Sequence, residues 1–445
     1  MTFIVVAFTV ILGYGALAQG AVTVSDGMWT AGAVGVLASL YYGLVAGRGM
    51  PPRSGLVLGL CGALAAWVAF QMAPLPGWAI QGLSEHREKI AAAVDGGRWA
   101  AITVVPAETR LGLVRLGAVL LAMLVARDLA WRYPEASGYL TGPVLAVGVG
   151  EAALGMVQFF GAVGAGRGEA AARGTYVNRD HFAGLLEMGL PLAVMCGVGV
   201  YQRGKKRFET SGVSAVLACG LFGAGAAMLM AVVFSASRMG FLAALFSLLF
   251  IGTVASSGAI SRRLDARLRW LPVGLISVAI AVTFVYLPTD ELIARFAQAG
   301  NETLTADTRV LIWKETGELV KAGPWAGFGL GSYESAFYAF KRVAPMLSVG
   351  HAHNDYLQGV AELGLVGMIP VLLLGGLAVK GALESAGMAP ETMQHYVGIG
   401  CAGSLFALGL HSLVDFNMYI PANALAMAWI AGIAMAGNSL KAGRG

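Results

Sequence analysis

Residues 348–367 read SVGHAHNDYLQGVAELGLVG, and they carry side chains for which a purely apolar helix has no use. His351 and His353 flank an alanine, Asn354 and Asp355 follow, and Gln358 and Glu362 then sit inside an apolar run. Asn354 or Asp355 is a suitable N-cap, which puts His353 at or just before a helix N-terminus. The positive end of the helix dipole disfavours an imidazolium there, so the sequence predicts a neutral His353 able to take a proton. Asp355, Gln358 or Gly359, and Glu362 recur at helical spacing and form one polar stripe, with Gly364 and Gly367 continuing the helix as small packing positions. Glu362 is either functional or a structural partner for an arginine or a backbone group. Two histidines separated by one residue can also hold a metal, but no cysteine or clustered carboxylates complete such a site. Proton transfer is the better reading.

The elements that must position these residues belong to a membrane protein. Of 445 residues, 57% are apolar and 12% charged, half the roughly 25% charged content of a soluble domain. The mean hydropathy is +0.71. Apolar runs near the roughly twenty residues needed to cross a bilayer recur along the chain. Twelve spans are expected: 2–22, 28–46, 54–73, 112–129, 138–160, 181–201, 211–234, 239–257, 270–287, 357–379, 394–412 and 420–438. The first has no small-residue cleavage site behind it and is expected to be retained. The fold class is therefore all-α and polytopic. Residues 1–287 should hold spans one to nine, 288–356 a large loop with short helices, and 357–445 the last three spans.

Orientation follows from lysine and arginine. Arg48, Arg53, Arg127, Arg132, Arg203, Lys205, Lys206, Arg207, Arg262, Arg263, Arg267, Arg269, Lys380, Lys441 and Arg444 fall in alternate short loops or at the C-terminus, and they are half of the chain's 30 basic residues. Both termini are expected to be cytoplasmic. The loops 74–111 and 288–356 then lie outside, and a loop as long as the second is usually functional or folded in its own right. The net charge of +5 reflects this membrane bias and does not indicate nucleic acid. The four cysteines lie in spans without a CxxC pair, so neither a disulfide framework nor a zinc site is indicated. GAVGAGRG (161–168) and GFGLGS (327–332) lack the Lys-Ser/Thr ending of a phosphate loop and read as flexible turns.

On this topology five polar segments reach one membrane face: TYVNRDHFAG (175–184), FSASRMG (234–240), ADTRVLIWKE (306–315), the opening stretch, and HSLVDFNMYIP (411–421). They bring Arg179, His181, Arg238, Arg309, His411 and Asp415 to the side on which His353 lies. Arg238, beside Ser235 and Ser237 and just before a helix start, either binds an anion or snorkels to the interface. Arg309 follows a capping Asp307 or Thr308 and falls in a first helical turn, where guanidinium and backbone N–H groups can act together on phosphate oxygens; the alternative is a plain surface arginine. Glu151 and Gln158, seven apart, together with Glu187 and Arg115 line a cavity or pair with each other, and the sequence does not decide between these.

These residues resemble a known family. His353-Asn354, nine residues, Gly364, two residues and Gly367 resemble the H-[NS]-x9-G-x-x-G signature of the O-antigen ligase/polymerase (Wzy-C-like) family. YVNRDHFAGLLEMGLPLA, FSASRMGFLA, DTRVLIWKETGELVKAGPWAGFGLGSY and HSLVDFNMYIP are similar to other segments of it, so the resemblance covers roughly 145–425. It implies a GT-C-like bacterial inner-membrane enzyme with a large periplasmic loop. Such an enzyme moves a glycan from a polyprenyl-pyrophosphate carrier (undecaprenyl-type) to an acceptor hydroxyl. The acceptor would be lipid A–core for a ligase and another lipid-linked repeat unit for a polysaccharide polymerase. It implies inverting chemistry without a metal or other cofactor, among membrane lipids. Arg238 and Arg309 would bind the donor pyrophosphate and His353 would be the base, with Arg179, His181, Asn354, Asp355, Glu362, His411 and Asp415 in support. A multi-span transporter or flippase of lipid-linked saccharides is the alternative, but it would place polar residues along a path through the membrane rather than at one face.

Overall fold

The computed structural model describes residues 1–95, 98–165, 171–206, 211–256, 306–342 and 348–437. The expected span 270–287, the first part of the 288–356 loop, and Arg207, Arg262, Arg263, Arg267, Arg269, Lys441 and Arg444 lie outside these residues. The described chain is almost wholly helical. Its helices are α1 (Thr2–Leu17), α2 (Val24–Leu44), α3 (Ser54–Gln71), α4 (Gly77–Leu83), α5 (Glu85–Asp95), α6 (Pro106–Arg132), α7 (Ser137–Leu140), α8 (Gly142–Gly164), α9 (Arg179–Lys206), α10 (Ser211–Ser235), α11 (Arg238–Ser256), α12 (Ala306–Ala322), α13 (Tyr333–Phe337), α14 (Asp355–Ala386), α15 (Met393–His411) and α16 (Pro421–Met435). Two short strands, β1 (Leu75–Pro76) and β2 (Trp99–Ala100), pair antiparallel.

Helices α1, α2, α3, α6, α8, α9, α10, α11, α14, α15 and α16 stand where spans are expected. An apolar run in lipid has no water for its backbone and closes its hydrogen bonds internally, which selects the helix. The sequence also marks helix starts. Thr23 accepts from the Asp26 N–H at 3.1 Å to cap α2, and Pro106 and Pro421 open α6 and α16, where a missing N–H costs nothing. Among the described residues seven helices are long and apolar enough to cross a membrane, and α1 and α16 are shorter apolar helices. The protein is an integral membrane protein with several crossings.

Helix α9 is the hub, almost wholly buried against α8, α10, α11 and α15. Pro191 inside it faces Gly400 and Gly403 of α15, which leave room for its ring and its carbonyl. At the far side α16 packs on α6, and Trp429 stacks on Phe8 with centroids 4.0 Å apart. The two long loops pack on each other. Ser84 Oγ donates to the Ala322 carbonyl at 2.6 Å, and Ile80, Ala100, Ile102 and Ala326 share a small apolar core.

The expectation that α14 runs unbroken through Gly364 needs correction. Gly364 leaves helical geometry at φ 67°, ψ 175°, and the 324–329 segment closes the gap. Phe328 N–H donates to Ala361 O at 3.0 Å and Gly329 N–H to Glu362 O at 2.9 Å, while Leu365 and Val366 N–H donate to Pro324 O and Trp325 O at 2.8 and 3.2 Å. From α3, Trp67 Nε1 donates to Leu363 O and Gln71 Nε2 to both Glu362 O and Ala326 O, each at 2.8 Å. Backbone groups orphaned by the break are thus satisfied by protein, the condition for irregular backbone at membrane depth. The GFGLGS stretch, expected as flexible turns, is a fixed bracket. Gly327 (φ +65°) and Gly364 approach so closely that a Cβ on either would meet the other segment's backbone.

Candidate active site

The polar segments expected at one face do converge, and local caps aim them. Asn354 caps α14: its Oδ1 accepts from Leu357 N–H at 2.9 Å and its Nδ2 donates to Leu413 O at 2.8 Å. Asp355 N–H donates to Ser412 O at 2.9 Å, and its Oδ2 accepts from Ser412 Oγ at 2.6 Å and Met418 N–H at 3.2 Å. The start of α14 is therefore stitched to the turn after α15. Asp355 serves as a staple in this arrangement. His353, just outside the cap, takes the left-handed backbone at φ +50°, an uncommon conformation for a residue with a side chain. Trp313 of α12 supports it, its Nε1 lying 3.0 Å from Ala352 O and 3.3 Å from His353 O.

Asp415 is the centre. Its carboxylate is 1% exposed and faces three imidazoles: His353 Nδ1 at 3.6 Å, His411 Nε2 at 3.7 Å and His181 Nε2 at 3.8 Å. These distances are ion-pair contacts, longer than hydrogen bonds. Burial works against the Asp415 charge, yet His353, His181 and His411 together hold its carboxyl well below the usual range. Phe416 sits beside it, edge-on to His181 (4.6 Å) and His353 (4.9 Å) and stacked on His351 at 4.0 Å.

His351 and His353 are not equivalent. Burial, with His353 close by, pushes His351 down to about 4. The His351 ring lies between Phe416 and Tyr419, with Nδ1 3.1 Å from Gln358 Nε2. Gln358 also accepts from Ala352 N–H at 2.9 Å and donates to Glu362 Oε1 at 3.2 Å, and Tyr419 OH donates to Glu362 Oε2 at 3.0 Å. Glu362, 1% exposed, anchors this network from below.

Arg309 is in the first turn of α12. Its Nη1 donates to Val414 O at 3.0 Å and its Nη2 lies 3.8 Å from Asp180 Oδ2. Asp307 and Thr308, expected as caps, fall within a helix that begins at Ala306. Arg238 is exposed at the start of α11, where Gly240 packs against Ala183 of α9 and so puts it at the Asp180 end. Arg179 is half-buried at the start of α9. Neither has a hydrogen bond or ion pair to the Asp415 cluster among the described residues.

The remaining membrane polars prove to be fasteners. Glu151 accepts from Thr175 N–H at 2.8 Å and lies 2.7 Å from its hydroxyl, and Gln158 donates to Gly174 O at 2.6 Å. Both clamp the segment leading into α9 and do not pair with each other. Arg115 lies 3.5 Å from Thr23 O, and Glu187 meets His411. Sequence reasoning missed Phe416, Tyr419, Trp313 and Asp180, although each lay inside a segment it had singled out. Trp67 and Gln71 gave no signal beyond a polar atom in an apolar run.

A helical membrane protein with an arginine, three histidines and buried carboxylates gathered at one end is the class that fold and site define. Residues 223–372, about a third of the chain, match the family model described as O-antigen ligase, which bears out the resemblance to the O-antigen ligase/polymerase family. The match runs from α10 into α14 and includes Arg238, Arg309 and His353. The segments bearing His181 and Asp415 lie outside it, and the fold brings them to the same place. No curated protein matches the chain.

Proposed function

We propose that the protein is a membrane glycosyltransferase that moves a glycan from a polyprenyl-pyrophosphate carrier to an acceptor hydroxyl at the periplasmic face of the bacterial inner membrane. The observation that carries this reading is His353 at the capped start of α14, backed by the Asp415 carboxylate 3.6 Å away and close to Arg309, which is tied to the same turn through Val414 O. In the proposed step the acceptor oxygen attacks the anomeric carbon from the face opposite the leaving group, which inverts the configuration. The bond from that carbon to the phosphate oxygen breaks, the hydroxyl proton passes to His353, and the polyprenyl pyrophosphate departs. Pyrophosphate is a good leaving group, and what it requires is charge neutralisation. Arg238 and Arg309 supply that, and Asp415 stabilises the imidazolium that forms. A positioned base contributes roughly 10²–10⁴-fold.

The test is transfer by purified protein in nanodiscs, given a defined lipid-linked oligosaccharide. A ladder from the donor alone marks a polymerase, and transfer only with lipid A–core marks a ligase. His353→Ala is expected to fold and lose transfer by at least about a hundredfold. Full transfer by this variant would overturn the assignment of the base. Arg238→Ala and Arg309→Ala are each expected to weaken donor binding, and unchanged donor affinity in both would remove the pyrophosphate role.

A further inference from the structure

The mechanism leaves one buried ionisable pair unused. Glu187 of α9 and His411 at the end of α15 are both at most 1% exposed, and His411 Nδ1 lies 3.0 Å from each oxygen of the Glu187 carboxylate. Glu187 is eight residues, a little over two turns, below Arg179 at the outer end of α9. It is shielded from any substrate at the mouth. A buried carboxylate is costly, and α9 and α15 are already joined without it, by Ser404 Oγ donating to Met188 O at 2.6 Å and by the close fit of Pro191 on Gly403.

The other edge of the same ring gives the pair a use. His411 Nε2 faces Asp415 Oδ2 at 3.7 Å, while Asp415 Oδ1 faces His353 Nδ1 at 3.6 Å. One carboxylate therefore has His411 on one oxygen and the candidate base on the other. In an imidazole the hydrogen bond made by one nitrogen decides what the other presents. With Glu187 accepting at Nδ1, that nitrogen carries a proton. A carboxylate at Nε2 favours a proton there as well, because a lone pair would face a negative oxygen.

We infer that Glu187 is a positioning residue for the base: it holds His411 protonated at both nitrogens beside Asp415, and that ion-pair contact in turn keeps Asp415 aimed at His353. The inference rests on the reading of His353 as the acceptor of the hydroxyl proton. The other titratable groups facing this chain are Asp180 and His181 on α9, with His181 Nε2 3.8 Å from Asp415 Oδ2. Asp355 is turned to Ser412 and Met418.

The experiment compares wild type, Glu187→Gln, His411→Gln and the double variant in nanodiscs, measuring kcat, donor KM, the pH profile of kcat/KM and the thermal midpoint. Glu187→Gln removes the charge that keeps His411 a donor at both nitrogens, so His353 faces one positive neighbour fewer. The expected result is a fall in kcat of about ten- to a hundredfold, the scale of a lost hydrogen bond to a charged group. Donor KM should be unchanged and the acid limb of the profile should move to higher pH. The double variant should be no worse than His411→Gln alone, since Glu187 acts through that ring. An acid limb left in place in folded Glu187→Gln, or additive losses in the double variant, would overturn the inference. If Glu187→Gln does not fold, His411→Gln alone decides, because it cuts the same link and must move the same limb. Absence of transfer by wild type would instead refute the underlying glycosyl-transfer reading, and full transfer by His353→Ala would refute the assignment of the base on which the inference rests.

Discussion

Three imidazoles around one carboxylate at Asp415 mean that the charge of the site depends on one side chain. Asp415→Asn keeps the shape, removes the stabilisation of an imidazolium at His353, and is expected to cost transfer roughly a hundredfold with the thermal midpoint little changed. His351 gives a test by pH. Its ring titrates at about 4 in the fold against an ordinary 6.5. The unfolded chain therefore binds its proton before the folded one as pH falls, and stability must drop between pH 6.5 and 4. His351→Phe, which keeps the stack on Phe416, should show a smaller loss of thermal midpoint across that window, and equal losses would show that this ring is not responsible. The cap at Asn354 was legible because capping is local, a matter of three residues and a helix start. The Asp415 contact was not, because 62 residues and two helices separate it from His353, and nothing in HSLVDFNMYIP distinguishes the carboxylate that faces inward from the phenyl ring that carries the histidines.

At the scale of elements, positions were readable and interruptions were not. Among the described residues apolar runs marked the positions of eleven helices, with ends up to seven residues off, because hydrophobic length is written in the chain itself. Gly364 looked like packing, for the partners of the backbone on either side of it, at Leu363, Leu365 and Val366, are Trp67, Pro324 and Trp325, far away in sequence. Those partners make the break sensitive to both sides. Gly364→Ala forces a side chain into φ 67° against the Trp325 carbonyl, a strain of roughly 1–3 kcal/mol before any clash. The expected outcome is a thermal midpoint several degrees lower in detergent. Gln71→Leu should destabilise through a different route, by removing the donor to Ala326 O and Glu362 O, at about 1–3 kcal/mol for the Ala326 carbonyl left unpaired, since Glu362 O keeps the Gly329 N–H. A Gln71→Leu protein as stable as wild type would show that water replaces the amide.

For the whole molecule the sorting of charge predicts sidedness. Cysteines placed at Arg53 and at Ser348 should label with a membrane-impermeant reagent from opposite sides of sealed vesicles, and labelling from the same side would refute the proposed orientation. Transfer should also persist in excess EDTA. The bracket at Gly364 carries one more consequence. Amides of Phe328 and Gly329 in the 324–329 segment and of Leu365 and Val366 in α14 close one another's hydrogen bonds, so neither set can open to solvent alone. In native-state hydrogen exchange these four amides should form a single class with one opening free energy. The 324–329 segment and the membrane bundle would then melt as one cooperative body rather than as a lid resting on a base.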